Sequence, residues 1–132
     1  MPPLTILIAD DDPDYRRLLR FIVEAADMRV VGEAGDGEEA LTLALRALPD
    51  VVVTDLVMPN VDGIELTARL HEHLPLTHVV LISSYDEDVY RGMASHRGAD
   101  AFVSKRVIDS SLVAAIRDVT RRAPGGPGGA PG

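Results

Sequence analysis

Five short strand-like segments alternate with segments of helical spacing, and four of them are apolar runs that end at polar residues. The segments are Leu4-Thr5-Ile6-Leu7-Ile8-Ala9, residues 28–34, Val51-Val52-Val53, Val79-Val80-Leu81-Ile82 and Ala101-Phe102-Val103-Ser104. A continuous apolar run rich in β-branched residues suits a strand covered on both faces. Between the first two runs, Leu18, Leu19, Ile22, Val23 and Ala26 recur at helical spacing, with Arg16, Arg17, Arg20 and Glu24 among them. Pro13 fits the first turn of that helix and Asp12 its N-cap. Asp36-Gly37-Glu38-Glu39 has the form of a capping box and opens a second helix carrying Ala40, Leu41, Ala44, Leu45 and Leu48. Met58-Pro59-Asn60-Val61-Asp62-Gly63 is a loop by composition, with Asp62-Gly63 making the turn into a third helix that runs to about residue 73, the glycine supplying unusual backbone angles. A fourth helix spans about residues 86–96 and has the weakest apolar face. A last one carries Leu112, Val113, Ile116 and Val119. Strands alternating with helices predict an α/β fold, a parallel sheet with helices on both sides.

The chain has 132 residues, enough for one core. The boundary falls near residue 122. Residues 123–132 are nearly all Gly and Pro and read as a flexible tail or linker. There is no cysteine, which excludes a disulfide framework and a thiolate metal site. No apolar stretch reaches the roughly 20 residues that span a bilayer, and no secretory signal is evident. The expectation is a cytoplasmic protein without a membrane partner. Thirteen basic and twenty-one acidic side chains give 13 − 21 = −8. That balance argues against binding nucleic acid by this chain alone, because such binding rests on neutralising phosphates.

The chemistry lies in where the acids fall. Asp10, Asp11 and Asp12 follow the first run, Asp55 the third, Ser83 the fourth and Lys105 the fifth. In open parallel sheets the site lies outside the C-terminal strand ends, so these distant residues converge. Crowded carboxylates repel unless a cation stands between them. A hard divalent ion such as Mg²⁺ takes one or two carboxylates, waters and phosphate oxygens. A carboxylate can also be the nucleophile in phosphoryl transfer, with a metal and further donors neutralising the transferred group. Asp55 suits the attacker, Asp10 and Asp11 the metal holders, Lys105 the cation and Ser83 the donor.

Four segments together resemble the receiver domain of two-component response regulators. They are Ile8-Ala9-Asp10-Asp11-Asp12-Pro13, residues 53–63, Leu81-Ile82-Ser83-Ser84 and residues 98–105, in order over roughly residues 4–122. The resemblance implies a flavodoxin-like, doubly wound five-stranded sheet of order 2-1-3-4-5 with five helices. It implies that Asp55 accepts a phosphoryl group from a histidine kinase. Asp11 would bind Mg²⁺ directly and Asp10 through water, and the Val57 backbone carbonyl would complete the metal site. Ser83 would move toward the phosphate, Phe102 would change rotamer with it, and Lys105 would pair with a phosphate oxygen. The chain would be a regulator and not an enzyme, catalysing only its own phosphoryl transfer and dephosphorylation. It would control an output such as transcription through a domain outside this chain, with a phosphorylation-dependent homodimer as a further partner state.

Two positions depart from the common family pattern. Arg106 follows the lysine where members often carry a cis proline, as regulators with a helix-turn-helix output often do not. Val57 and Tyr85, two residues after Asp55 and Ser83, are apolar and aromatic and should hinder an attacking water, which predicts slow loss of the phosphate. An aspartate-nucleophile phosphatase of the haloacid-dehalogenase type shares an acid-rich first strand end. It needs a further acidic pair at a strand end after the lysine, whereas Asp109 and Asp118 fall near or on the last helix. A receiver-like module that only binds partners would not need both Asp55 and Lys105. Asp12 reads as a helix cap before a metal ligand, Phe102 is equally at home in a core, and His71, His73, His78 and His96 read as surface residues.

Overall fold

The computed structural model describes residues 2–84 and 98–121. Five strands, β1 (Thr5–Ala9), β2 (Arg29–Ala34), β3 (Val51–Asp55), β4 (His78–Ser83) and β5 (Ala101–Ser104), form one sheet in the order β2-β1-β3-β4-β5. Every pairing is parallel. The described helices are α1 (Pro13–Ala25), α2 (Gly37–Ala47), α3 (Gly63–His73) and α4 (Ile108–Val119), the last being the final helix expected from the sequence. The helix expected over residues 86–96, Tyr85 and the Gly/Pro tail lie outside the described residues.

Period-two alternation explains why the strands read as unbroken apolar runs. Ile6, Ile8, Val51, Val53, Val80, Ile82 and Val103 face Leu19 and Val23 of α1 and Leu112, Ile116 and Val119 of α4. Their neighbours Leu7, Ala9, Val52 and Val79 point the other way, onto Ala40 and Ala44 of α2 and Leu66 and Leu70 of α3. Both sheet faces are therefore dry, and single truncations such as Leu112→Ala should cost about 2–5 kcal/mol.

The helix starts follow the expected chemistry. Asp12 caps α1, its carboxylate accepting from the Asp14 and Tyr15 amides, with Pro13 in the first turn. Asp36 caps α2 through the Glu39 amide, and the Glu39 carboxylate reaches back to the Gly35 amide. Asp62 caps α3 through the Glu65 amide. Three expectations are corrected. Leu45 and Leu48 are exposed, because α2 presents the small Ala40 and Ala44 to the sheet and ends with Leu48 at a left-handed C-cap (φ 49°). His78 is buried, since it begins β4, an inner strand between β3 and β5, opposite Val51. Gly63 needs no unusual backbone angle, and the left-handed residue of its loop is Asn60 (φ 67°). What Gly63 supplies is space: a Cβ there would collide with the Asp55 carbonyl oxygen and the Leu56 Cα.

Candidate phosphoacceptor and metal site

Strand register brings the polar strand ends together. Ala9 pairs with Thr54, so Asp10 emerges beside Asp55. Asp55 pairs with Ile82, one residue before Ser83, and Ser83 pairs with Ser104, one residue before Lys105. The strand order reverses between β1 and its two neighbours, so Asp10 and Asp55 flank the switch point where open α/β sheets bind ligands.

Asp10 is fully buried and Asp55 is 9% exposed, whereas Asp11 stands in solvent. Carboxylate oxygens of the three lie within 4.8 Å of one another. The Lys105 ammonium reaches in from β5, 2.9 Å from Asp10 Oδ2 and 3.5 Å from Asp55 Oδ2. The other Asp10 oxygen accepts from the Asp12 amide at 2.9 Å. Burial pushes the Asp55 carboxyl up from its ordinary 3.8 to about 6. Lys105 opposes that rise, and the Asp10 charge adds to it. Three carboxylates against one ammonium leave −3 + 1 = −2. A divalent cation matches that residual charge, and the hard oxygen donors suit Mg²⁺.

The expected residues thus divide clearly. Asp10, Asp11, Asp55 and Lys105 form one cluster. Ser83 is buried at the end of β4. Val57 follows as a half-exposed residue of the loop beyond Asp55. Phe102 is partly buried and packs against Leu56, Ile64, Leu81 and Ala99, so it belongs to a small apolar cluster beside the acceptor. Asp12 spends its carboxylate on the α1 amides. The Arg106 amide donates to Ser104 Oγ at 3.2 Å, a bond that proline could not make.

Two supporting residues were not legible in the sequence. The Thr54 hydroxyl donates to the Asp55 carbonyl oxygen at 3.0 Å and fixes the backbone where the acceptor leaves its strand. The Tyr15 ring lies under Lys105, with Nζ 4.1 Å from its centroid. Neither residue breaks the apolar periodicity, so nothing in the pattern singles it out.

Comparison with known proteins decides the family. The family model described as "Response regulator receiver domain" matches residues 6–117. The chain belongs to this family. The receiver domain of NarL from Mycobacterium tuberculosis superposes with a TM-score of 0.85 at 33% identity, covering 92% of this chain and 98% of that one. The receiver domain of Thermotoga maritima CheB gives 0.86 at 30% identity, covering 92% and 99%. Among full-length relatives, the transcriptional regulatory protein YxjL of Bacillus subtilis is 34% identical over 89% of this chain and 55% of its own length. A protein-glutamate methylesterase/protein-glutamine glutaminase of Myxococcus xanthus is 45% identical over 78% of this chain and 30% of its own length. The chain therefore spans about half, or less, of the curated relatives it matches. Among the described residues no helix is long and apolar enough to cross a membrane.

Proposed function

We propose that this receiver domain is a phospho-accepting switch in a two-component relay, with Asp55 as the acceptor. The observation that carries the reading is the group of Asp10, Asp11 and Asp55, whose oxygens lie within 4.8 Å of one another, with Lys105 paired to Asp10 and Asp55. An Asp55 carboxylate oxygen attacks the phosphorus of a phosphohistidine on a partner histidine kinase. The new P–O bond replaces the P–N bond, and the imidazole nitrogen leaves with its electron pair and takes a proton. Asp10, Asp11, Asp55 and the Val57 carbonyl would hold Mg²⁺, which supplies positive charge against the oxygens of the transferred group. A solved relative from Borrelia burgdorferi, CheY in complex with CheX, carries BeF₃ and Mg²⁺, which supports both parts of the reading.

Lys105 then pairs with a phosphate oxygen in place of Asp55. Ser83, at the neighbouring strand end, donates its hydroxyl to the same group, and Phe102 moves with it. The phosphoryl adds charge and acceptor oxygens. One arrangement of Ser83 and Lys105 binds them better, so the population shifts. The output we propose is transcription, through a region outside this chain, because regulators such as YxjL match over more than half their length. The domain works in the cytoplasm as a regulator rather than an enzyme, and the phosphorylated form pairs with a second copy. Val57 beside the acceptor keeps the phosphate long-lived.

The test is intact-protein mass after incubation with acetyl phosphate and Mg²⁺, beside Asp55→Asn. One phosphoryl group on the parent, absent in the variant and lost with EDTA, is the expected result. No adduct on a folded parent protein from either acetyl phosphate or a phosphorylated kinase would overturn it.

A further inference from the structure

Tyr15 lies in the first turn of α1, three residues after the Asp12 cap, whose carboxylate accepts from the Tyr15 amide at 3.4 Å. The ring packs against the core on the α1 side of the sheet and presents a face to the Lys105 ammonium, 4.1 Å from its centroid. The Lys105 side chain is 17% exposed, and among the described residues its ammonium meets Asp10, Asp55 and the ring. The phenol oxygen is buried and has no hydrogen-bond partner among the described residues. A buried hydroxyl without a partner costs free energy and stabilises nothing. What the position uses is therefore the ring face, whose negative quadrupole attracts an ammonium most strongly when solvent is excluded.

The long lysine stem has several rotamers open to it, and in the one it adopts the ammonium stands 2.9 Å from Asp10 and 3.5 Å from Asp55. The ring closes the third side. We infer that Tyr15 is a positioning residue for Lys105, its ring face holding the ammonium between Asp10 and Asp55 so that the cation is already in place when a phosphoryl group arrives. The kinetic half of this inference rests on the proposed phosphoacceptor role of Asp55. The placement half does not.

Two measurements separate the halves. The first is the proton NMR shift of the Lys105 ε-methylene. An upfield ring-current shift is expected in the parent and in Tyr15→Phe, and its loss in Tyr15→Leu. A parent without that shift overturns the placement. The second is the rate of phosphorylation by acetyl phosphate at saturating Mg²⁺. Tyr15→Phe should stay within about two-fold of the parent, and Tyr15→Leu should be slowed roughly five-fold, the size of a partly desolvated cation–π contact. Apparent Mg²⁺ affinity should not change. In a Lys105→Gln background, Tyr15→Leu should have no further effect, because the two residues act as one unit. Equal slowing in both backgrounds, or a Tyr15→Phe as slow as Tyr15→Leu, overturns the positioning role and leaves ordinary packing. A parent that takes no phosphoryl group sinks the phosphoacceptor reading and the kinetic half together, while the ring shift still decides the placement.

Discussion

Lys105 and Asp10 are 95 residues apart in sequence and joined in space by a 2.9 Å ion pair whose acid is fully buried. Removing one partner of a buried pair leaves an uncompensated charge, which is the costly way to break it. Lys105→Met should therefore lower stability by about 2–4 kcal/mol at pH 7.5 in EDTA, read as a shift in urea midpoint. Adding Mg²⁺ should recover part of the loss, since the ion supplies the missing charge. A midpoint unchanged from the parent would mean that Asp10 is held by its Asp12 amide bond alone.

Asp55 gives the opposite sign. Its folded carboxyl titrates near 6, above the ordinary 3.8, so the fold binds this proton more tightly than the unfolded chain does. The stability that this proton contributes is fully present below about pH 4 and is lost as pH rises through about 6. Above that, the charged group is a burden on the metal-free protein. Asp55→Asn should thus raise stability by about 2–3 kcal/mol at pH 7.5 in EDTA, with the gain fading as pH falls from about 6 to about 4 and absent below that. Paired denaturation curves across that range check it, and a pH-independent difference would rule out the titration as its source.

These opposite signs show what the sequence could and could not convey. The inner strands were legible because both of their faces are dry and each reads as a solid apolar block, as in Val51-Val52-Val53, whereas the strand order was implied only by the resemblance to receiver domains. The acids at the strand ends were legible because parallel strands all deliver their C-terminal ends to one side. Tyr15 and Thr54 were not, since an aromatic in a helix and a threonine in a strand obey the ordinary pattern. Leu45 and Leu48 misled for a related reason. The apolar stripe of α2 is wider than its contact, and only close packing against Leu7 and Ala9 selects Ala40 and Ala44. Gly63 showed itself as a turn residue, yet its constraint is a steric contact with a strand end that no local rule contains.

Magnesium should stabilise the domain by mass action. At ten times its Kd, a ligand that binds only the folded state adds about 1.4 kcal/mol, a rise of a few degrees in Tm. Asp11 is exposed and its side chain makes no hydrogen bond among the described residues, so Asp11→Asn should leave the metal-free Tm within about two degrees, its cost being under about 0.5 kcal/mol. The same variant should abolish most of the magnesium-induced rise. Calorimetry with and without the ion, on parent and variant, separates a metal ligand from a bystander.

Gly63→Ala tests whether the acceptor is held by its backbone. The added methyl would meet the Asp55 carbonyl oxygen and the Leu56 Cα, neither of which is the end of a flexible side chain. The Gly63 amide also donates to the Leu56 carbonyl oxygen at 2.8 Å, so α3 cannot retreat without losing that bond. Overpacking of this kind costs about 1–3 kcal/mol, and here the strain falls on the residue that is to be phosphorylated. The expected outcome is lower stability together with a slowed phosphorylation by acetyl phosphate at saturating Mg²⁺. Gly35→Ala is the control, because its Cβ would find only the Arg16 guanidinium at 3.5 Å, an ordinary contact. If Gly63→Ala loses stability but phosphorylates at the parent rate, the carboxylate is placed by its side-chain partners rather than by the strand end. If Gly35→Ala behaves as badly as Gly63→Ala, the loss reflects glycine replacement in this region and not the contact with Asp55.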